Sequence, residues 1–260
     1  MDAGGVPAMW VTPKAGAGET VLLYLHGGGY VLGSAQSYRA TSSGLAVGTG
    51  VRVLVPDYRL APEHPYPAAL EDALAAWRWL RSTGVEPSRV VVAGDSAGGG
   101  LALALMGALV EAGEAPPAGA VLLSPWVDLA CEAASHVDNA PYDMLTREAL
   151  LEWSRFYAGA LELADPRISP LHASLRGLPP LYVQVGGVEL FRDAVCQFAE
   201  RARAAGVPVT LDLYEDMPHV PCGLAAMSPR GREAFARTVA AVRRMLEGAG
   251  PAVASTQAVG

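Results

Sequence analysis

Ser96 lies in Gly94-Asp95-Ser96-Ala97-Gly98, a G-x-S-x-G spacing that sets a hydroxyl between two glycines. Ahead of it, Val90-Val91-Val92-Ala93 is apolar and mostly β-branched, so it reads as a short buried strand. Behind it, Leu101 to Val110 is apolar and long enough for a helix. Strand, sharp turn and helix together push a serine out as a nucleophile, because flanking glycines let the strand and helix cross closely. A helix N-terminus at the serine also favours negative charge developing there. The competing chemistry is phosphate binding, but the segment lacks the G-K-[ST] of a P-loop and does not match G-x-G-x-x-G.

A serine is inert near neutral pH without a base and an oriented carboxylate. Of five histidines, His219 stands in the loop Glu215-Asp216-Met217-Pro218-His219, directly past the last expected strand. Parallel sheets carry their chemistry on such loops, so His219 is the candidate base. His136 and His172 fall in an irregular stretch and read as structural or solvated. For the acid the chain offers Glu189 and Asp193. Glu189 is favoured because it follows the strand Leu181 to Val185 after the turn Gly186-Gly187; Asp193 is the alternative, one helical turn farther on. An oxyanion needs converging backbone N–H groups. Gly28 and Gly29 of His26-Gly27-Gly28-Gly29 offer two, and Ala97 at the start of the helix offers a third.

The elements that must position these residues alternate. Strands are expected at Pro7 to Pro13, Thr20 to Leu25, Val51 to Val55, Val90 to Ala93, Ala120 to Leu123, Leu181 to Val185 and Val209 to Tyr214. Helices are expected at Ala68 to Arg81, Leu101 to Val110, about Leu190 to Ala205 and Gly231 to Leu246. This alternation implies an α/β fold with a mostly parallel central sheet and helices on both faces. Residues 1–247 read as a single domain, and 248–260 as a disordered tail. The stretch at about 125–178 interrupts the pattern with a helix opened by Thr146, and reads as a cap-like insertion. Trp126, Tyr142, Leu145, Leu150 and Trp153 are its candidate pocket or lid residues.

Composition narrows the function. The chain has 260 residues, a formal net charge of −7 and 17% charged residues, so nothing favours nucleic acid as a partner. No apolar run reaches a membrane-spanning length, and the N-terminus lacks the pattern of a signal peptide. Three scattered cysteines make neither a disulfide framework nor a zinc site, and a cytoplasmic location is expected. No metal or cofactor site is expected.

Three motifs in order now acquire a shared meaning. His26-Gly27-Gly28-Gly29, Asp57-Tyr58-Arg59-Leu60-Ala61-Pro62-Glu63 and Gly94-Asp95-Ser96-Ala97-Gly98-Gly99 together resemble the hormone-sensitive-lipase family of bacterial carboxylesterases. The order Ser96, Glu189, His219 is also that of α/β-hydrolases. The resemblance runs from about Trp10 to Leu246. It implies an α/β-hydrolase fold, hydrolysis of short- to medium-chain acyl esters by a serine esterase, and no cofactor. It further implies Ser96 as nucleophile, His219 as base, Gly28, Gly29 and Ala97 as oxyanion donors, and a charged network of Asp57, Arg59 and Glu63. The chain departs from the family in two ways. Glu189 stands where the family usually has aspartate, and only about twenty residues precede the first sure strand, where relatives carry a helical cover. The expected site is therefore partly open, covered mainly by the insertion, with a homodimer contact at the exposed apolar surface. The same triad would also serve an amidase, lactonase or carbamate hydrolase, and a non-catalytic ligand-binding relative is the remaining reading.

Overall fold

A computed structural model of the protein describes residues 1–16 and 18–247; the expectation for 248–260 lies outside them. Among the described residues one sheet contains seven strands: β1 (Ala8–Val11), β2 (Val21–Leu25), β3 (Arg52–Pro56), β4 (Val90–Asp95), β5 (Gly119–Leu123), β6 (Leu181–Gly186) and β7 (Val209–Tyr214). Their spatial order is β1-β3-β2-β4-β5-β6-β7. Only β1 runs antiparallel.

The continuous apolar runs of β2, β4 and β5 conceal a period of two. Val21, Leu23 and Leu25, with Val90 and Val92, face one core; Leu22 and Tyr24, with Val91 and Ala93, face the other. Every residue of β2, β4, β5 and β6 is buried, as both-sided cover requires. Helices α2 (Ala68–Ser82) and α3 (Ala97–Glu111) and the later helix over Arg192–Ala204 fill the first core with Trp77, Leu105 and Phe198. The other face is covered by α1 (Arg39–Thr49) and the last helix, Pro229–Glu247.

Helix α1 is not among the elements expected from the sequence. Its sequence, RATSSGLAVGT, carries two glycines, two serines, two threonines and a valine, and each interior glycine costs about 1 kcal/mol relative to alanine. Packing explains the choice. A Cβ on Gly48 would lie 2.8 Å from Val239 Cγ2, and one on Gly44 would lie 3.3 Å from Phe235 Cζ. The glycines let α1 close onto the last helix, and tertiary contact overrides propensity.

Between β5 and β6 lie α4 (Ser135–Asp138), α5 (Arg147–Ala158) and a 3₁₀ turn at Pro170–His172. Thr146 caps α5 as its sequence suggests, its hydroxyl accepting the Ala149 N–H at 3.2 Å. After β6, α6 (Arg192–Ala204) begins two residues later than expected. α7 (Pro229–Glu247) begins two residues earlier, with proline at its first position. The charged network also differs. Arg59 holds Asp72 through Nε and Nη2 at 2.8–3.0 Å and Glu71 at 3.0 Å, all from α2. Asp57 accepts the Ala35 N–H instead, and Glu63 is exposed. A fork of fixed donors finds its best partners on the adjacent helix, not in its own loop.

Candidate active site

Ser96 follows β4, Gly28 and Gly29 follow β2, Glu189 follows β6 and His219 follows β7. All four positions are carboxyl ends of parallel strands, so the sheet delivers them to one edge. Ser96 has φ 53° and ψ −124°, a left-handed backbone that a serine seldom adopts. Crowding holds it there. A Cβ on Gly94 would run into the Gly98 carbonyl, and one on Gly98 into the Leu25 carbonyl, so the strand and α3 cross with backbone against backbone.

His219 and Glu189 meet beneath the surface. Glu189 is fully buried and His219 is 7% exposed, and Oε2 of the acid lies 3.7 Å from Nδ1 of the imidazole. That separation is an ion-pair contact, longer than a formed hydrogen bond. Neither Nδ1 of His219 nor Oε1 of Glu189 has a hydrogen-bond partner among the described residues. Oε2 accepts the Ser124 hydroxyl at 2.6 Å and the Gly186 N–H at 3.1 Å. Asp193 points elsewhere: it pairs with Arg192 at 2.7 Å and accepts the Ser135 N–H at 3.0 Å. The His219 ring meets Phe191 edge-on at 5.0 Å, and Phe191 stacks on Trp126 at 5.7 Å.

Burial pulls the pKa of His219 down, but the Glu189 carboxylate beside it, with Asp143 and Asp95 farther off, outweighs burial and holds it above the ordinary histidine value. His26 and His136 move the other way, because burial dominates for both. His26 stacks on Tyr58 at 4.2 Å with Nδ1 2.9 Å from the Gly27 carbonyl, so it braces the glycine loop.

Gly28 and Gly29 have φ of 121° and 63°, and their N–H groups have no protein acceptor among the described residues. The Ala97 N–H, at the first position of α3, has no intrahelical partner by geometry. The glycine loop is tied to the elbow by Asp95, whose role the sequence reading did not assign. Its carboxylate accepts the Gly27 N–H at 3.1 Å, the Tyr24 hydroxyl at 2.8 Å and the Tyr38 hydroxyl at 2.7 Å. Burial pushes the Asp95 carboxyl above the usual range, while the two tyrosine hydroxyls favour its ionised form. Its place inside the elbow motif is the sequence signal; its tyrosine partners carry none.

Ser96, His219, Gly28 and Gly29 line one cavity of about 660 Å³, whose other walls are mostly apolar. Leu145 and Trp153 line it as expected from the insertion, joined by Met144. Trp126 and Leu150 are instead fully packed, and Tyr142 is exposed. Trp153 sits directly on Gly29, where a Cβ would run into its ring. Cys222 also borders the cavity, but burial first and Asp95 second push its thiol up to about 12, so it stays protonated at neutral pH. A groove of about 730 Å³ at the opposite edge of the sheet, walled by Pro180, Pro208 and Met245, contains no histidine, cysteine or carboxylate. Among the described residues no group of three or more His, Cys, Asp or Glu is placed to hold a metal ion, and no helix is long and apolar enough to cross a membrane.

Comparison with known proteins agrees with this geometry. The profile of a family described as "alpha/beta hydrolase fold" matches residues 22–222. An acetyl-hydrolase of Streptomyces hygroscopicus is 45% identical over 90% of this chain and 79% of its own length. The esterase LipI of Mycobacterium tuberculosis is 39% identical over 88% of this chain and 73% of its own. A crystal structure of an esterase from the bacterial hormone-sensitive lipase family superposes with a TM-score of 0.92 at 44% identity, covering 95% of this chain and 83% of that one. The chain belongs to the α/β-hydrolase-fold family and, within it, to the hormone-sensitive-lipase esterases: it is a carboxylic ester hydrolase.

Proposed function

We propose that the protein is a serine carboxylesterase that cleaves short- to medium-chain acyl esters through an acyl-enzyme. Ser96 attacks the ester carbonyl while His219 takes its proton; the resulting oxyanion is met by the N–H groups of Gly28, Gly29 and Ala97. The imidazolium then protonates the departing alcohol. Water repeats the sequence on the acyl-enzyme, returning acid and free Ser96. Glu189 keeps Nδ1–H pointed at itself and stabilises the imidazolium. Asp193, already engaged by Arg192 and Ser135, is the weaker candidate for that role.

The observation that carries this reading is one cavity holding a strained serine and a histidine whose Nδ1 faces a buried carboxylate. A cavity of about 660 Å³ suits small to medium esters, and the name of the Streptomyces relative, acetyl-hydrolase, fits the short end of that range. The segment 124–178 acts as a partial cap through Met144, Leu145 and Trp153. The unpaired state of Cys131, Cys196 and Cys222 supports a reducing, cytoplasmic setting. Stopped-flow hydrolysis of p-nitrophenyl acetate, butyrate and decanoate tests the mechanism. A burst of p-nitrophenol equal to the enzyme concentration on the acetate or butyrate is expected whenever deacylation is the slower step. Faster turnover of the decanoate than of both short esters would contradict the substrate range.

A further inference from the structure

The contact between Glu189 and His219 is bridged by a side chain outside the triad. Ser124 follows β5, is fully buried and has φ 46°. A non-glycine residue is uncommon in that left-handed region. Its hydroxyl has one proton to give, and gives it to Glu189 Oε2 at 2.6 Å. Ser124 Oγ in turn accepts the N–H of Val220, the neighbour of His219, at 3.0 Å. Val220 itself has φ 56°, so the histidine loop leaves its base through a second left-handed residue. Ser124 is tied down in turn, its own N–H donating to the Gln184 carbonyl at 2.7 Å.

We propose that Ser124 is a positioning residue that fixes the acid and the base of the triad relative to each other through a single hydroxyl. This rests on the reading of Ser96, His219 and Glu189 as the triad. The carboxylate oxygen nearest His219 is the one Ser124 holds, and the backbone that aims His219 hangs from the same Ser124 hydroxyl. Without the hydroxyl, Glu189 retains only the Gly186 N–H, and the Val220 N–H loses its acceptor. Ser124 does not border the substrate cavity, so its effect reaches the reaction only through Glu189 and His219.

The test is a double-mutant cycle on p-nitrophenyl butyrate, with Ser124→Gly, Ser124→Ala, Glu189→Gln and the two double variants. Glycine removes the hydroxyl yet suits φ 46°, so it serves where alanine fails to fold; circular dichroism checks each variant. Displacing a reacting group by about 1 Å costs on the order of 10²-fold. Ser124→Gly is therefore expected to lower kcat by about 10- to 100-fold with KM nearly unchanged. In the Glu189→Gln background the same change is expected to cost less than about threefold, because residues acting through one another are non-additive. An equal loss in both backgrounds would overturn the proposal and make Ser124 a general structural residue. So would a wild-type kcat for Ser124→Gly beside an impaired Glu189→Gln, which leaves the triad reading standing. If neither Ser124 variant folds, the hydroxyl is a stability element and the positioning role falls. A fully active Glu189→Gln would remove the triad reading itself, and this proposal with it.

Discussion

The proposed nucleophile side and the proposed acid–base side of the site are built in opposite ways. On the first, five consecutive residues form the turn, packed backbone against backbone on the end of β2. Gly94 and Gly98 let β4 and α3 cross, and the crossing forces Ser96 into its strained conformation. On the second, Ser124, Glu189 and His219 come from three loops far apart in the chain, joined by one hydroxyl and a 3.7 Å ion-pair contact. A nucleophile held by backbone sterics tolerates little change and needs few partners. An acid and a base held by side chains depend on every member of a small polar network, and the raised pKa of His219 records it.

The sharpest way to probe the first half is Ser96→Ala. Removal of the nucleophile is expected to lower kcat on the order of 10⁶-fold with the fold intact, measured on p-nitrophenyl butyrate. The second half is probed by Glu189→Gln against Asp193→Asn. The former is expected to cost on the order of 10⁴ in kcat and the latter less than about tenfold, because only Glu189 lies beside His219. The pH profile adds a signed test. The base works as neutral imidazole, so kcat/KM rises as pH climbs through the His219 pKa. Glu189 holds that pKa above 6.5, so the acid limb of the wild type should lie above pH 6.5. In Glu189→Gln the main raising neighbour is gone while burial still pulls down, and the limb should shift to lower pH. A limb that shifts upward would show that Glu189 does not stabilise the imidazolium.

A smaller effect is expected where the two halves touch the oxyanion loop. Gly29→Ala adds a Cβ at φ 63° and drives it into Trp153. Displacement of the Gly29 N–H from the oxyanion is expected to lower kcat by up to about 10²-fold, less than outright removal of a donor, and a change confined to KM would show that Gly29 only shapes the pocket. The least catalytic change lies behind the site. Gly48→Val, against Val239, is expected to destabilise the fold by about 1–3 kcal/mol through overpacking and to lower the melting temperature, with kcat per folded molecule nearly intact.

This division also explains what the sequence reveals. The elbow is legible because its signal is contiguous: glycines at fixed offsets, a β-branched strand and an apolar helix. The strands and most helices are legible for the same reason, from periodicity within short windows. Helix α1 is not, since its glycines Gly44 and Gly48 sit against Phe235 and Val239, which lie nearly two hundred residues away. Arg59 looks toward Asp57 and Glu63 in sequence but finds Glu71 and Asp72 one helix along. Ser124 carries no local mark at all. A lone serine after a strand becomes informative only when Glu189 and Val220 are seen on either side of it. Trp126 and Leu150 illustrate the converse: apolar residues in an insertion look the same whether they pack or line a pocket.

The central claim is that Ser96 is the nucleophile and that His219 activates it. The most direct measurement is covalent labelling with a fluorophosphonate, followed by peptide mapping in the mass spectrometer, on the wild type and on His219→Ala. One adduct on the peptide bearing Ser96 is expected for the wild type, formed at a rate that rises with pH as His219 loses its proton. His219→Ala should be labelled at least about a hundredfold more slowly. An adduct on any other residue, such as Cys222 at the cavity wall, or equal labelling rates for the two proteins, would contradict the account.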